Sequence, residues 1–516
     1  MKKLVLLFIL LFTIGKGFSQ NLNMDNVLNI KLKNTGPIIS GNDVKGYYYF
    51  YNVDKADKKN VNYVIKVSDE NLRPVNTVDI VRPKSFSLIE AEYNGSTFAF
   101  LFYNPKENSY EIITFDKSLK EIGKTVKKIV GASDSYFKMA SASMDPGHSF
   151  LVAVENKGFL YYGFSESKKI KYSIDYYDNN LKLIWNSISP DLTTKELAIA
   201  DDAFQSENYI GTLITRRESS TAKDASYDLL VNEVSSGKQL VKMELADKAY
   251  NIAANKITFD EATKNIMVFG EYYNLKEKEY KAASLGYFYL IVDMAGKVVQ
   301  QKLISWEKDM AKVANSDKSG RMEKGARVFV HEIIRTSDGD VFVVGEQYKK
   351  AASGWGIASA VISNGRSNTS TVQLEVLNMV ILQFDPKLNI KAVKVFEKDP
   401  HFHLLPAGAE FVGSKMLAYW AKSYGWFDYA YSQMQNDKQT FLCTYVNYNK
   451  EKGEKGKNTL GAIVYTPEKV FTIDKMDLNR KSTDYRVYRA KSGYIGVGEY
   501  FKKEKKFDVR LEKINY

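Results

Sequence analysis

Cysteine is almost absent from this chain, and histidine is scarce. Cys443 is the only cysteine among 516 residues, and there are four histidines. A disulfide framework and a cysteine-based metal site are therefore excluded. Cys443 stands in an apolar stretch, 440–448, with no histidine or asparagine placed to activate it. This setting indicates a small buried hydrophobe rather than a nucleophile.

Long apolar runs are absent beyond the first twenty residues, so no transmembrane segment is predicted there. The N-terminus reads MKKLVLLFILLFTIGKGFSQ, with two lysines, an apolar core over residues 4–14 and a small-x-small site at Gly17-Phe18-Ser19. This pattern predicts a signal peptide over residues 1–19 and an exported mature chain, periplasmic or extracellular. An uncleaved anchor is the alternative, although the run is short for a membrane span.

No motif of a known catalytic site or cofactor site is found in the sequence. A complete Asp-box, a Gly-x-Ser-x-Gly elbow, a His-Glu-x-x-His helix and a phosphate-binding glycine loop are all missing. We therefore predict no cofactor and no metal, and we expect binding rather than catalysis. The formal charge of +12 is spread over mixed-sign runs, and with no arginine-rich arm it does not indicate nucleic acid as a partner. Anionic glycans and a membrane surface are the alternative partners for this positive charge.

The residues that are present form a repeated β pattern. Residues 327–398 contain four runs rich in Val, Ile, Phe and Tyr, bounded by turn residues, which predict a four-stranded meander. The second run of this unit recurs with a Gly-Glu pair at 267–273, 342–348 and 495–501. A glycine inside a strand indicates close approach of another backbone. One structural position is therefore used three times.

Turn motifs extend this repeat to the whole chain. Asp-x-x-Leu hairpins recur at 69–73, 116–120, 178–182 and 385–389, with looser copies at 293–297 and 235–238. Turns between first and second strands are predicted at 42–46, 94–96, 145–148, 205–208, 260–265, 337–340, 412–415 and 491–493. Eight four-stranded units predict an all-β chain folded as a single β-propeller. Seven blades is the alternative, because the units around 195–245 and 403–470 are irregular.

The two ends of the chain predict how this ring closes. The last unit ends one strand short, and a spare strand, 27–32 (VLNIKL), follows the signal peptide. We predict that residues 27–32 complete the last blade, which would leave no exposed edge. Residues 20–516 then form one propeller domain without a linker.

Loop lengths predict which face of the propeller carries function. In an up-and-down meander, second-to-third and blade-to-blade connections share one face, which we call the long-loop face. The long segments fall there, at 155–169, 216–225, 274–285, 306–326, 349–371 and 423–439, while 449–458 is assigned to the opposite face. Long loops on a rigid scaffold are where binding residues concentrate.

Aromatic and histidine side chains in these segments are the candidate ligand-binding residues. The segment 423–439 is rich in rings, and 349–371 carries a tryptophan in a Gly/Ser/Asn-rich setting. Two histidines at positions i and i+2 point the same way on an extended chain, which also permits a metal, with Asp399 nearby. The alternative is that the rings only pack under their own loops. The candidates are Trp355, Trp426, Tyr429, Tyr431, His401 and His403.

The repeated glutamates Glu271, Glu346 and Glu499 admit two interpretations. Carboxylates converging on a central channel can perform acid–base chemistry. A residue that repeats with its strand more commonly binds a neighbouring blade, and we favour that structural role.

The Ser19-Gln20 junction, the Lys/Asn/Tyr-rich composition and the Asp-x-x-Leu-Lys hairpins together resemble secreted families of flavobacterial-type (Bacteroidetes) bacteria. This resemblance implies a cell-envelope or extracellular setting and transfers no site residues. Our leading hypothesis is an exported propeller that binds a protein or glycan of the envelope through its long-loop face. The alternatives are a carbohydrate-active or other hydrolase with acidic residues near the central channel, and a structural spacer.

Overall fold

The computed structural model describes residues 20–30, 34–40, 43–129, 133–142, 149–165, 170–190, 196–219, 222–363, 368–449, 456–468 and 470–515. The predicted signal peptide, 1–19, lies outside these ranges. No helix within them is long and apolar enough to cross a membrane.

Within the described ranges, thirty-three strands form eight antiparallel sheets, one per blade. In chain order they are β1 (Asn21–Met24), β2 (Thr35–Ser40), β3 (Asp43–Asp54), β4 (Asn60–Asp69), β5 (Pro74–Pro83), β6 (Ser87–Tyr93), β7 (Thr97–Asn104), β8 (Ser109–Asp116), β9 (Glu121–Lys128), β10 (Leu151–Val154), β11 (Gly158–Phe164), β12 (Tyr172–Asp178), β13 (Leu183–Ile188), β14 (Leu197–Gln205), β15 (Tyr209–Arg217), β16 (Ser226–Glu233), β17 (Gln239–Leu245), β18 (Tyr250–Asp260), β19 (Asn265–Asn274), β20 (Gly286–Val292), β21 (Val298–Ser305), β22 (Arg327–Arg335), β23 (Val341–Ala352), β24 (Thr369–Phe384), β25 (Ile390–Phe396), β26 (His401–Pro406), β27 (Tyr429–Met434), β28 (Phe441–Asn449), β29 (Lys457–Tyr465), β30 (Phe471–Asp477), β31 (Asp484–Arg489), β32 (Tyr494–Phe501) and β33 (Lys506–Lys513).

Three helices lie in the connections of the described chain: α1 (Ser133–Ala142), α2 (Gly354–Ile362) and α3 (Ser414–Ser423). Blades 1 to 7 each use four consecutive strands, starting from β2, and blade 8 is formed by β31, β32, β33 and β1. β26 adds to blade 6 by pairing with β24. The predicted all-β propeller of eight blades is confirmed.

The core lies between neighbouring blades. The second strand of blade 2, β7, is buried along its whole length. Its phenylalanines at 98, 100 and 102 pack into a cluster shared with blade 1. The alternate residues at 99, 101 and 103 pack into a cluster shared with blade 3. Side chains that alternate between two faces of one strand therefore join each blade to both neighbours.

The repeated Gly-Glu pairs occupy one structural position, as predicted. They lie on the second strands β19, β23 and β32. A Cβ added at Gly270 would lie 2.1 Å from the carbonyl oxygen of Ala253 on the adjacent first strand. Glycine is kept there because the two backbones approach closely.

An N-terminal strand closes the ring, but it is not the predicted one. β1 (Asn21–Met24) pairs with β33, whereas residues 27–30 cross from blade 8 to blade 1. Val27 donates its backbone N–H to Lys505, and Leu28 donates to Asn52. Residues 31 and 32 of the predicted strand lie outside the described chain. Val27 and Ile30 are buried in the cluster between blades 8 and 1, whereas Leu28 and Asn29 are exposed.

Two blades differ from the predicted loop pattern. In blade 3 the turn between first and second strands is 155–157, and 158–164 is strand β11, so 155–169 is not one long loop. The turn predicted at 145–148 lies outside the described residues. In blade 7 the predicted turn at 412–415 runs into helix α3, and the first strand is β27. The segment 423–439 therefore contains a strand. Because β28 and β29 are the second and third strands of blade 7, the prediction that 449–458 belongs to the opposite face is wrong. Helix α3 buries Leu417, Ala418 and Ala421 at helical spacing. The two-residue alternation that is used to predict strands does not detect such a helix.

Candidate functional site

A cavity of about 450 Å³ opens at the long-loop face of blades 4 to 6. Its inner wall is formed by the first strands of these blades, through Asp201, Lys256 and His331. Its outer wall comes from the connection 275–285 and from Trp306. Helix α3, from the connection between blades 6 and 7, lies across the opening. The volume falls within the range of small-molecule sites in proteins.

Helix α3 is amphipathic across this opening. Leu417, Ala418 and Ala421 are buried against the extended part of blade 6. On the other side, Lys415 and Tyr419 reach the cavity, and the hydroxyl of Tyr419 donates to Oδ1 of Asn255 at 3.2 Å. The helix is thus anchored on blade 6 and covers blade 5.

Glu271 is the first of two carboxylates in the cavity wall. Its Oε1 accepts from the Ser284 hydroxyl at 2.8 Å, its Oε2 accepts from the Tyr273 hydroxyl at 3.0 Å, and Lys415 Nζ lies 3.3 Å from Oε2. Burial opposes ionisation, yet Lys415 and these donors hold the pKa of Glu271 below its usual value. Glu271 is therefore an anion at neutral pH.

Glu279 is the second carboxylate, and it is almost completely buried. The Tyr227 hydroxyl contacts both of its oxygens, at 2.8 and 2.9 Å. Burial raises the pKa of Glu279, and the positive charge of Lys415 only partly offsets this effect. The two carboxyls of one cavity thus have pKa values displaced in opposite directions.

Basic groups line the same cavity. Lys256 forms an ion pair with Asp202 at 2.9 Å. Arg327 donates from Nη1 to the carbonyl oxygen of Ser319 at 3.0 Å, and its charge helps to lower the pKa of Glu271. The wall therefore offers both signs of charge, together with the hydroxyls of several tyrosines. These tyrosines are Tyr273, Tyr280, Tyr287, Tyr348 and Tyr419.

His331 lies at the floor of the cavity with its side chain fully buried. Burial lowers the pKa of His331 to about 4, so the ring is neutral at pH 7. Its Nε2 lies 3.3 Å from Glu346 Oε2, and neither ring nitrogen has a hydrogen-bond partner in the described part of the chain. A neutral imidazole offers one donor and one acceptor.

Behind this histidine, Glu346 joins blade 6 to the entry of blade 7. It accepts backbone N–H groups from Asp428 and Tyr429, each at 3.2 Å. Lys398, with no exposed side-chain surface, bridges Glu346 at 3.0 Å and Asp428 at 2.7 Å. Glu499 similarly accepts from the backbone of Asn479, ahead of blade 8. The structural role predicted for the repeated glutamates is confirmed at these two positions, while Glu271 faces the cavity.

Three of the predicted ligand-binding residues form one aromatic stack outside the cavity. Trp426 stacks on His403 with ring centres 5.0 Å apart and on Tyr424 at 5.1 Å. His403 contacts His401 at 4.4 Å. His401 Nδ1 lies 3.1 Å from Asp428, and His403 Nε2 lies 3.1 Å from the Trp426 carbonyl oxygen. Each histidine thus has its own protein partner.

The other three predicted residues are dispersed. Tyr429 stacks on His331 at 4.5 Å, and Tyr431 is buried in the first strand of blade 7. Trp355 is 68% exposed on α2. None of the six residues lines the cavity. Within the described ranges, no cluster of three or more His, Cys, Asp or Glu has the arrangement of a metal site.

Sequence reasoning singled out Glu271 but missed the other cavity residues. Lys415 and Tyr419 belong to the unrecognised helix α3, and Glu279 stands in a Lys/Glu-rich loop that resembles an ordinary solvated turn. A glutamate flanked by Tyr280 and followed by small residues was the available signal, and it is weak without the fold.

Comparison with known proteins gives likeness at the level of fold. The β-propeller domain of the Trilobed protease from Pyrococcus furiosus is 13% identical, with a TM-score of 0.35, covering 86% of this chain and 94% of that one. Lignostilbene dioxygenase from Pseudomonas brassicacearum is 10% identical, with a TM-score of 0.39 and coverages of 84% and 90%. A polysaccharide lyase acting on ulvan is 8% identical, with a TM-score of 0.39 and coverages of 82% and 91%. No curated protein matches the sequence. A family model matches residues 1–515, and the chain belongs to DUF6770, a family of unknown function.

Proposed function

We propose that this protein is an exported binding protein that takes a glycan segment into the cavity under α3. The observation that carries this proposal is the lining itself, which combines tyrosine rings with carboxylates, ammonium groups and hydroxyls. Aromatic faces pack against the apolar face of a sugar ring, and fixed polar groups bind its hydroxyls. The cavity also lies on the long-loop face, where loop lengths predict binding.

The proposal is tested by affinity electrophoresis of the mature protein in gels that contain single polysaccharides. We expect retardation by at least one polysaccharide. Tyr419→Ala, which removes a ring and the bond to Asn255, should abolish it. The matched control is Tyr424→Ala, because Tyr424 follows the same helix, is 54% exposed and lies outside the cavity.

Two results would contradict the proposal. Retardation lost in Tyr424→Ala but retained in Tyr419→Ala would place binding on the aromatic stack instead of the cavity. If no polysaccharide retards the protein, the glycan assignment is wrong.

Hydrolysis is a second candidate function, favoured by the opposite pKa displacements of Glu271 and Glu279 in one cavity. A protonated Glu279 would donate a proton to a leaving oxygen, and ionised Glu271 would act as the base. Product release from polysaccharides that is lost in Glu279→Gln, with binding retained, would establish this activity. Binding without any product in the parent protein would exclude it for those substrates.

Export remains part of the proposal and is supported by the first twenty residues. N-terminal sequencing of the protein recovered from the envelope fraction of a Gram-negative host should give Gln20 as the first residue. A protein that keeps Met1 in the cytoplasm would refute export.

A further inference from the structure

The ammonium group of Lys415 occupies a defined seat in the cavity wall. Its Nζ donates to the Tyr273 hydroxyl at 3.2 Å and lies 3.3 Å from Glu271 Oε2. The same nitrogen lies 5.3 Å from the ring centre of Tyr273 and 5.8 Å from that of Tyr280. We name the group formed by Glu271, Tyr273, Glu279 and Tyr280 the ammonium seat.

The chemistry of the ammonium seat is specific for an amine that carries N–H donors. Tyrosine faces within about 6 Å attract a cation through their quadrupole. The carboxylate and hydroxyl oxygens accept hydrogen bonds, which a quaternary ammonium cannot donate. The seat therefore matches a primary ammonium group.

The ammonium seat contains two carboxyl groups, and the charge of Lys415 acts on both. Glu279 lies in the same wall and keeps a raised pKa despite the nearby lysine. Two arginines lie beside the seat, where the charge of Arg327 helps to lower the pKa of Glu271, and each of them donates to its own carbonyl oxygen. Arg217 lies over Tyr280 at 4.6 Å and donates to the Ala222 carbonyl oxygen, and Arg327 donates to Ser319. Displacement of Lys415 would leave Glu271 without its ion-pair contact, which another ammonium group can replace.

Lys415 can leave this seat without movement of its helix. Leu417, Ala418 and Ala421 hold α3 on blade 6 through buried contacts that do not involve the lysine. Gly413, just before the helix, fits against the Tyr280 carbonyl oxygen, which a Cβ would approach to 2.2 Å. Rotation of one flexible side chain is enough to empty the seat.

We infer that the ammonium seat binds a primary amine of the ligand and that Lys415 fills it when no ligand is bound. This inference rests on the proposed function and specifies it: the glycan carries free amino groups. Lys415 is then an internal competitor, and ligand binding includes the cost of displacing it.

Chemical rescue tests the inference without knowledge of the natural ligand. Lys415→Met empties the seat and leaves Glu271 without its cation, so we expect a lower thermal unfolding midpoint. Added methylammonium should restore this midpoint, whereas tetramethylammonium should not. The double variant Lys415→Met/Glu279→Gln should respond less to methylammonium. Lys308→Met, which removes an exposed lysine from the same face, should show no rescue. If Lys415→Met does not fold, Lys415→Gln replaces it.

Sugar probes separate this inference from the proposed function. Glucosamine should bind Lys415→Met about tenfold more tightly than it binds the parent protein, because the competitor is gone. N-acetylglucosamine, with its amine capped, should show no such gain. Equal gains for both sugars, or methylammonium rescue of Lys308→Met, would overturn amine recognition and leave glycan binding standing. Methylammonium rescue without binding of any sugar would keep the ammonium seat and refute the glycan assignment.

Discussion

Single residues in the Asp-x-x-Leu turns show how far local sequence predicts backbone. The aspartate bonds the backbone of its own turn: Asp116 Oδ1 accepts from the backbone N–H of Ser118 and of Lys120. Gly and Asn are the residues that commonly adopt positive φ in tight turns, but in these four turns leucines adopt it, at 60 to 63°, and each is buried. A left-handed residue costs about 1–2 kcal/mol, and burying a leucine gains about 1.5–3 kcal/mol. Burial of the leucine therefore outweighs the backbone strain. This burial depends on the neighbouring blade, so the sequence of the turn alone does not predict it.

Glu92 on the first strand of blade 2 predicts a pH-dependent stability. Burial raises the pKa of Glu92 to about 8, with Glu90 adding to the effect and Arg486 opposing it. Its pKa in the unfolded chain is near 4.5, so the folded protein holds an extra proton between these values. Stability contributed by the protonated form is present below pH 4.5 and is lost as the pH rises to 8. Glu92→Gln should therefore stabilise the fold above pH 8, by up to a few kcal/mol.

Urea unfolding of both proteins from pH 4.5 to pH 9 measures this difference. The free energy of unfolding of Glu92→Gln should exceed that of the parent protein by an amount that grows as pH rises and levels off beyond about pH 8. Glu121→Gln, at an exposed position on the outer strand of the same blade, should give no gap. A constant gap at every pH would show that Glu92 does not titrate with folding.

At the scale of elements, strands were predictable and helices in connections were not. The strand pattern repeats eight times, so a strand that is hard to recognise in one blade can be placed by comparison with the other blades. Helix α3 occurs once, is short, and buries small residues against strands that are far away in sequence. Its identity depends on the blade 6 surface that it covers, and without it neither Lys415 nor Tyr419 could be assigned to the cavity.

Blade 6 joins blade 7 through Lys398, and this junction predicts a large effect of one substitution. Two buried carboxylates, Glu346 and Asp428, raise the pKa of Lys398 against the effect of burial. Lys398→Met leaves both without a cation, and we expect a loss of about 3–5 kcal/mol in the free energy of unfolding. The double variant Lys398→Met/Glu346→Gln should recover part of this loss, because one uncompensated charge is removed.

An exposed ion pair provides the comparison for this junction. Lys457 and Asp477 lie 3.1 Å apart on the outer strands of blade 7, where both side chains are partly in solvent. Lys457→Met should cost less than about 1 kcal/mol. Equal losses for Lys398→Met and Lys457→Met in urea unfolding would mean that the blade 6–7 junction does not depend on its buried charges.

At the scale of the whole molecule, the cavity is formed by parts of several blades that the ring brings together. Its walls come from first strands more than a hundred residues apart, one loop and one helix. Residue patterns predicted the long-loop face because the order of the strands alone determines on which face each connection lies. They did not identify which side chains meet there, since that depends on how blades 4, 5 and 6 are placed around the axis.

The ring itself is held by a short N-terminal strand. Leu22 and Met24 of β1 are buried between blades 8 and 1. The carbonyl oxygen of Gln20 accepts from the backbone N–H of Leu511, and Lys491 Nζ donates to its side chain at 2.8 Å. Cleavage before Gln20 would retain all of these contacts.

A disulfide across this junction tests whether closure limits the stability of the ring. Asn23 and Asp508 are direct partners in the β1–β33 ladder. We expect oxidised Asn23→Cys/Asp508→Cys to unfold at higher urea than its reduced form. The control, Tyr494→Cys/Lys513→Cys, staples one hairpin within blade 8. The stabilisation by a disulfide grows with the length of chain that it encloses. The disulfide between residues 23 and 508 should therefore raise the free energy of unfolding by about 2–3 kcal/mol more than the disulfide between residues 494 and 513. Equal gains would mean that β1 separates from blade 8 before the propeller unfolds.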